Sequence, residues 1–220
     1  DSAIRQSKPY PGKNNRAAVC LTAASISLAE NIMTQETPQL WKDTYTATTP
    51  QELVAAYSKW AHLYDQDTLE VMGYVGPKVA VDMLDNHLDS QDGKVLDAGC
   101  GTGLVGEILD DLGYLHIDAM DFSKDMLTVA EKKDVYNKLY QADMNTTIDF
   151  EDNSYDATIC VGTFTFAHVG PEAFDELIRI TRPGGHICFT IRDGAYEKYG
   201  YRKKMLEMEA QNKWQLAELR

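Results

Sequence analysis

The sequence predicts an α/β fold: a doubly wound, mostly parallel sheet with helices on both faces, preceded by a helical cap. Three observations carry this. From Lys94 onward, short apolar runs alternate with helical stretches. The first run ends in a glycine-rich turn that opens straight into a helix. Acidic residues stand at or near the ends of the first three runs. Strands alternating with helices pair in parallel through right-handed crossovers.

Residues 1–48 show no clear periodicity and are rich in Ser, Thr, Ala, Asn and Gln, so a disordered or loosely attached leader is expected there. Arg5, Lys8, Lys13 and Arg16 precede a mildly apolar run at 17–29, which vaguely resembles a secretory or transit signal; a plain disordered leader is the competing reading. The chain starts at Asp1, and Met33 is an alternative start. A helical cap is expected over 49–92. In Thr49-Pro50-Gln51-Glu52, Thr49 suits the N-cap, Pro50 the first helical position, and Glu52 closes a capping box. Leu53, Ala56, Tyr57, Trp60 and Tyr64 follow at helical spacing, and a second helix is expected from Pro77 to Leu88.

The main domain is expected over 93–220. Its strands are read at 94–98, 115–121, 137–143, 155–161 and 186–192, with helices at 104–112, 123–132 and 171–180. A last amphipathic helix is expected over 195–219.

Composition narrows the function. At 220 residues, one full domain plus an appendage fits. Asp and Glu outnumber Lys and Arg by 34 to 21, a net charge of −13. A polyanionic partner needs a basic surface, and the clearest basic cluster is only Arg202-Lys203-Lys204, so no nucleic-acid partner is expected. No run approaches the roughly 20 apolar residues of a bilayer span, so no membrane partner is expected either. Cys20, Cys100, Cys160 and Cys188 form no C-x-x-C pair, which gives no metal motif and fits reduced thiols in a cytoplasmic compartment.

The strongest local signal is VLDAGCGTG at 95–103. Alternating Gly99, Gly101 and Gly103 permit a tight turn and close approach of a ligand to the backbone. Residues 101–106 also match G-x-G-x-x-G, the dinucleotide pattern, a weak signal alone. Asp97 argues the other way. A carboxylate at the strand tip would repel a pyrophosphate and suits an ammonium or sulfonium, which favours S-adenosylmethionine (SAM) over NAD. Asp121, 18 residues beyond Gly103, is placed to accept from both ribose hydroxyls. Asp118 competes for that role but sits mid-strand and points to the opposite face. At the third strand's end, Asp143 is expected to accept from the adenine amine, and the Met144 N–H to donate to a ring nitrogen. Phe122 and Met126 are candidates to wall the adenine; ordinary core packing is the alternative.

These residues carry a resemblance. VLDAGCGTG, AMDFSKDML, QADM, YDATICVGTFTFAHV and RITRPGGHICFTIRDG, in this order over 95–194, resemble the seven-strand, class I SAM-dependent methyltransferases. YDQDTLEVMGYVGPKVAVDML at 64–84 narrows the likeness to one subfamily, whose substrate the resemblance does not supply. The resemblance implies a Rossmann-like fold and SAM as cofactor, with Asp97, Gly99, Cys100, Gly101 and Gly103 around the loop and Val161 beside the methionine end. It also implies two further strands after the last helix, the final one antiparallel. The chain ends at Arg220, so both are expected to be absent and the domain C-terminally incomplete.

The acceptor should lie over the carboxyl ends of the fourth and fifth strands. His168 there is a candidate general base, and Arg192 and Asp193 are candidates to orient an acceptor. Tyr64 is a candidate to face a sulfonium, while Trp60 reads as core. The fourth strand lacks the D/N-P-P-Y/F/W of DNA amino methyltransferases, and no Pro-Cys dipeptide exists. A SAM-dependent methyltransferase acting on O or N of a small organic molecule is therefore expected. A catalytically inactive SAM-binding protein and an NAD-dependent oxidoreductase are the alternatives.

Overall fold

The computed structural model describes residues 17–24, 39–165 and 169–220. Seven strands form one sheet: β1 (Ala17–Ala24), β2 (Val95–Ala98), β3 (Ile117–Asp121), β4 (Lys138–Gln141), β5 (Tyr155–Phe164), β6 (Thr181–Arg192) and β7 (Trp214–Leu219). Their order is β4-β3-β2-β5-β6-β1-β7, and every pairing is parallel. The doubly wound α/β fold expected from the alternation is thus present.

The pleat explains the two cores. Leu96, Ala98, Met120, Cys160, Ile187 and Phe189 point to one face, where α7 (Ala173–Ile180) brings Phe174 and Leu177. Val95, Ile117, Ala157, Ile159 and Cys188 point to the other. There α4 (Gly76–Asp85) and α5 (Leu104–Asp111) supply Ala80, Met83, Leu84, Val105 and Leu109. Burial on both faces is why β2 reads as a continuous run of buried residues rather than an alternation.

Ahead of the sheet, α1 (Gln39–Thr46) packs on α2 (Pro50–Trp60). The capping box forms: the Glu52 N–H donates to Thr49 Oγ1 at 3.2 Å, and the Thr49 N–H donates to the Glu52 carboxylate at 3.3 Å. A short α3 (Tyr64–Gln66) runs into one π-helical turn, Asp67–Val71. Beyond β3, α6 (Lys124–Glu131) starts at Ser123, whose hydroxyl caps the Met126 N–H.

Three expectations change. The helix read within the cap at 77–88 is α4, which lies on the sheet because its apolar face is buried against β5 and β6. The leader expected over 1–48 contributes β1, inserted between β6 and β7, and helix α1; Val19 is fully buried. Finally, the helix expected over 195–219 splits into α8 (Ala195–Lys198), α9 (Tyr201–Ala210) and β7. Asn212 is the reason. It adopts φ +57 after α9, its N–H donates to the Glu209 carbonyl, and the Lys213 N–H donates to Met208. That is the Schellman termination, and it turns Trp214 into the core. Of the two strands expected to be absent, β7 is therefore present, and the sheet reaches seven strands by recruiting β1.

Candidate cofactor and acceptor site

The strand order reverses between β2 and β5, because the chain runs outward through β3 and β4 and then returns to the other side of β2. Open α/β sheets leave a crevice at the carboxyl ends of such strands. Here that crevice is a cavity of about 450 Å³.

The glycine turn forms its floor. Gly99 has φ +77, and a Cβ there would stand 2.5 Å from the Thr163 hydroxyl. Only glycine lets β2 and β5 approach so closely at this level. Gly101 also lines the cavity at φ +54. Gly103 does not; at φ +94 it caps α5, with Lys133 and Tyr136 against it.

The tips of β3 and β4 form one wall. Asp121 lines the cavity, and its two oxygens accept the Gly101 N–H at 2.9 Å and the Ser123 N–H at 2.7 Å. Burial raises its pKa from the ordinary range, against the pull of those backbone donors. Phe122 keeps 47% of its surface exposed at the cavity edge, while Met126 is buried beneath. Asp143 and Met144 complete this wall. The Asp143 carboxylate is held by the backbone N–H and the side-chain amide of Asn145, at 2.8 and 3.1 Å. Asp118 behaves as expected: it is buried on the other face, with Tyr155 and Lys94 on its carboxylate.

Val161, Gly162 and Thr163 line the opposite wall, where β5 leaves its regular register with β6. Helix α2 closes the top with Leu53, Val54 and Tyr57, and Tyr64 follows. Sequence reasoning had not placed Leu53 or Val54 there; the helical spacing signalled an apolar face, not what it covers. The segment after α2 is tied down. The Thr102 hydroxyl donates to Asp65, and Lys133 pairs with Asp65 at 2.7 Å and with Glu107 at 2.5 Å.

Two expected contacts lie elsewhere. Asp97 is wholly buried below the turn, away from the cavity wall, and accepts from the Tyr136 hydroxyl at 2.7 Å. It sits in register with Ala119, so the pleat turns it toward the helix layer of α5 and α6 rather than the crevice. Its Oδ1 has no hydrogen-bond partner among the described residues. Burial pushes its pKa up to about 7; the Tyr136 hydrogen bond opposes this and the charge of Asp121 adds to it. Cys100 packs with Ala119 and Ala130, and burial holds its thiol protonated. His168 lies outside the described residues.

A second, smaller chamber of about 70 Å³ adjoins the first and shares Tyr57, Tyr64 and Gly162 with it. Trp60 contributes to its wall and is also core, with its indole N–H donating to Asp67 at 2.7 Å. Arg192 reaches this wall, while Asp193 is exposed.

This geometry suits a nucleoside cofactor whose sugar meets Asp121 and whose base meets Phe122 and Asp143. A cavity of this size with a few convergent polar groups is typical of small-molecule sites.

Comparison with known proteins agrees. Residues 96–189 match the family model described as a methyltransferase domain. Human methyltransferase-like protein 27 is 34% identical over 139 residues, covering 62% of this chain and 56% of the relative. A demethylmenaquinone methyltransferase of Paenarthrobacter aurescens is 33% identical over 143 residues, covering 63% and 54%. A malonyl-[acyl-carrier protein] O-methyltransferase of Buchnera aphidicola is 28% identical over 150 residues, covering 68% and 58%. The chain thus spans a little over half the length of these curated relatives. Among solved structures, an S-adenosyl-L-methionine-dependent methyltransferase of Methanococcus maripaludis superposes with a TM-score of 0.51 at 27% identity, covering 70% of this chain and 72% of that one. A chain from the Haloferax volcanii complex of a methyltransferase with the Trm112 activator superposes with a TM-score of 0.54 at 19% identity, covering 67% and 75%, and shares the fold. Residues 96–189 thus match a methyltransferase domain, and the chain is similar in fold to a SAM-dependent methyltransferase and in sequence to methyltransferase-like protein 27.

Proposed function

We propose that the chain is a SAM-dependent methyltransferase that passes a methyl group to O or N of a small organic molecule. The observation that carries this is the cavity itself: Asp121 and Phe122 on one strand tip, Asp143 and Met144 on the next, and Gly99 and Gly101 beneath. Bound SAM supplies a methyl group already activated on a sulfonium. The protein's task is then orientation and exclusion of water.

Each residue has a place in that task. The Asp121 carboxylate accepts from the ribose hydroxyls, and the Gly101 and Ser123 N–H groups fix its plane. Phe122 and Met126 wall the adenine, and the Asp143 carboxylate, oriented by Asn145, accepts from its amine. Backbone at Val161–Thr163 lines the methionine end. Tyr64 offers an aromatic face to the sulfonium, and α2 shuts out water. Asp97, Cys100 and Gly103 support the loop from below. His168 keeps its proposed role as a general base for acceptors that must lose a proton.

The relatives' names point to different acceptors, so acceptor choice belongs to the smaller chamber rather than to the shared cofactor cavity. The net charge of −13 supports a partner other than nucleic acid. Cys100, Cys160 and Cys188 are buried and form no disulfide among the described residues, which supports a reducing, cytoplasmic setting.

The test is calorimetric titration of S-adenosylhomocysteine into the wild type and Asp121→Ala. Two hydrogen bonds to a charged group are lost, so affinity should fall by roughly 10- to 100-fold. Unchanged affinity in the variant would remove the ribose from Asp121 and with it this placement of the cofactor.

A further inference from the structure

We infer that Asp65 is a positioning residue for the proposed methyl transfer: it fastens the cap segment after α2 to the glycine turn, holds Tyr64 at the edge of both spaces, and slows release of the spent cofactor. This rests on the methyltransferase reading of the larger cavity and goes beyond it, to the residue that keeps that cavity shut.

Asp65 directly follows Tyr64, which lines both the larger cavity and the smaller chamber. The two Asp65 oxygens meet partners from distant parts of the chain. Oδ1 accepts from the Thr102 hydroxyl, and Oδ2 pairs with Lys133 Nζ at 2.7 Å. Thr102 is buried between Gly101, which lines the cavity, and Gly103, which caps α5. Lys133 follows α6, lies against Gly103, and also pairs with Glu107 of α5 at 2.5 Å. One carboxylate thus joins the cap segment to the turn, to α5 and to the end of α6.

Three further contacts of this segment run within it. The Trp60 indole N–H donates to Asp67, the Thr68 hydroxyl donates to the Tyr64 carbonyl, and the Trp60 and Tyr64 rings meet with centroids 4.7 Å apart. These contacts fix the shape of residues 60–68, whereas Asp65 fixes where that shape sits. An ion pair fully in water contributes little, because solvent and salt screen it. Here the Lys133 side chain keeps only 12% of its surface, so truncating its partner leaves a poorly hydrated charge. Helix α2 and Tyr64 lie over the cavity, with the glycine turn beneath. Parting the two to release a ligand stretches the Asp65 bonds, so their strength enters the release rate.

The experiment follows S-adenosylhomocysteine on the immobilised full chain by surface plasmon resonance, which separates association from dissociation. Asp65→Ala is expected to raise koff by about tenfold or more. Lys133→Met should raise it by roughly three- to tenfold, because Thr102 still holds Asp65. Asp65→Glu keeps the charge and should stay within about threefold of wild type. Asp65→Ala/Lys133→Met should release at no more than about twice the rate of Asp65→Ala, since both changes break one junction. Lys78→Met opens an exposed ion pair with Asp82 on α4 and should leave koff unchanged. Urea unfolding of each variant gives the stability lost. Dissociation within about twofold of wild type in Asp65→Ala and Lys133→Met, whatever the stability lost, reduces Asp65 to a structural tie and overturns the proposal while the cofactor reading stands. A rise in Lys78→Met equal to that in Asp65→Ala overturns it too. If Asp65→Ala does not fold, Lys133→Met decides alone by the same criterion. A wild type that binds no S-adenosylhomocysteine overturns the methyltransferase reading, and this inference with it.

Discussion

Replacing Asp97 by Asn should change how stability depends on pH, and the structure sets the size. Asp97 is wholly buried, and its folded pKa of about 7 stands above the ordinary 3.8. The folded protein therefore keeps a proton that the unfolded chain releases. Stability from this group is fully present below about pH 4 and is lost as pH rises toward and through 7. The gap between 3.8 and about 7, at about 1.4 kcal/mol per pH unit, corresponds to about 4 kcal/mol. About 3 kcal/mol of that falls between pH 5 and 8. Asparagine keeps the shape and an oxygen for the Tyr136 hydroxyl but never charges. Urea unfolding of both proteins at pH 5, 6, 7 and 8, followed by tryptophan fluorescence, gives the difference directly. The variant should gain about 3 kcal/mol on the wild type across that range. A constant difference, or one that moves in favour of the wild type, would refute the claim that burial holds Asp97 protonated.

Other substitutions probe separate links. Gly99→Ala places a Cβ against Thr163 at φ +77, so it should cost about 2 kcal/mol or more in urea unfolding and weaken S-adenosylhomocysteine binding as β2 and β5 are forced apart. Phe174→Ala empties a site packed by Phe164, Phe189 and Trp214 and should cost about 3–5 kcal/mol by the same measurement. Ser123→Ala removes the cap on the Met126 N–H and should cost about 1 kcal/mol. Because the Ser123 N–H that holds the Asp121 carboxylate is unchanged, cofactor affinity should fall only modestly.

The legible parts of the sequence were those set by local chemistry. The three glycines required a tight turn, and the turn is there. The strand pleat separated Asp121 from Asp118, and the two carboxylates do lie on opposite faces. Thr49 and Glu52 specified a helix start that forms as read. The misread parts depended on distant partners or on one overlooked residue. Asp97 was read as ligand-facing because it ends a strand, yet Tyr136, 39 residues away, claims it. Asn212 carried a helix-termination signal that apolar spacing over 195–219 concealed. Strand β1 has no charge or turn pattern to announce it, and its place depends on pairing with β6 and β7. The smaller chamber draws on residues from 41 to 192, so no single motif could reveal it.

The central claim is that the cavity beside Gly99 and Asp121 takes SAM, and a thermal-shift titration with S-adenosylhomocysteine beside NADH tests it most directly. Saturation at about 100 times Kd should add roughly 2.7 kcal/mol. For a chain of this size that raises Tm by about 5–10 °C. The rise is expected with S-adenosylhomocysteine and not with NADH. A rise with NADH alone would contradict it.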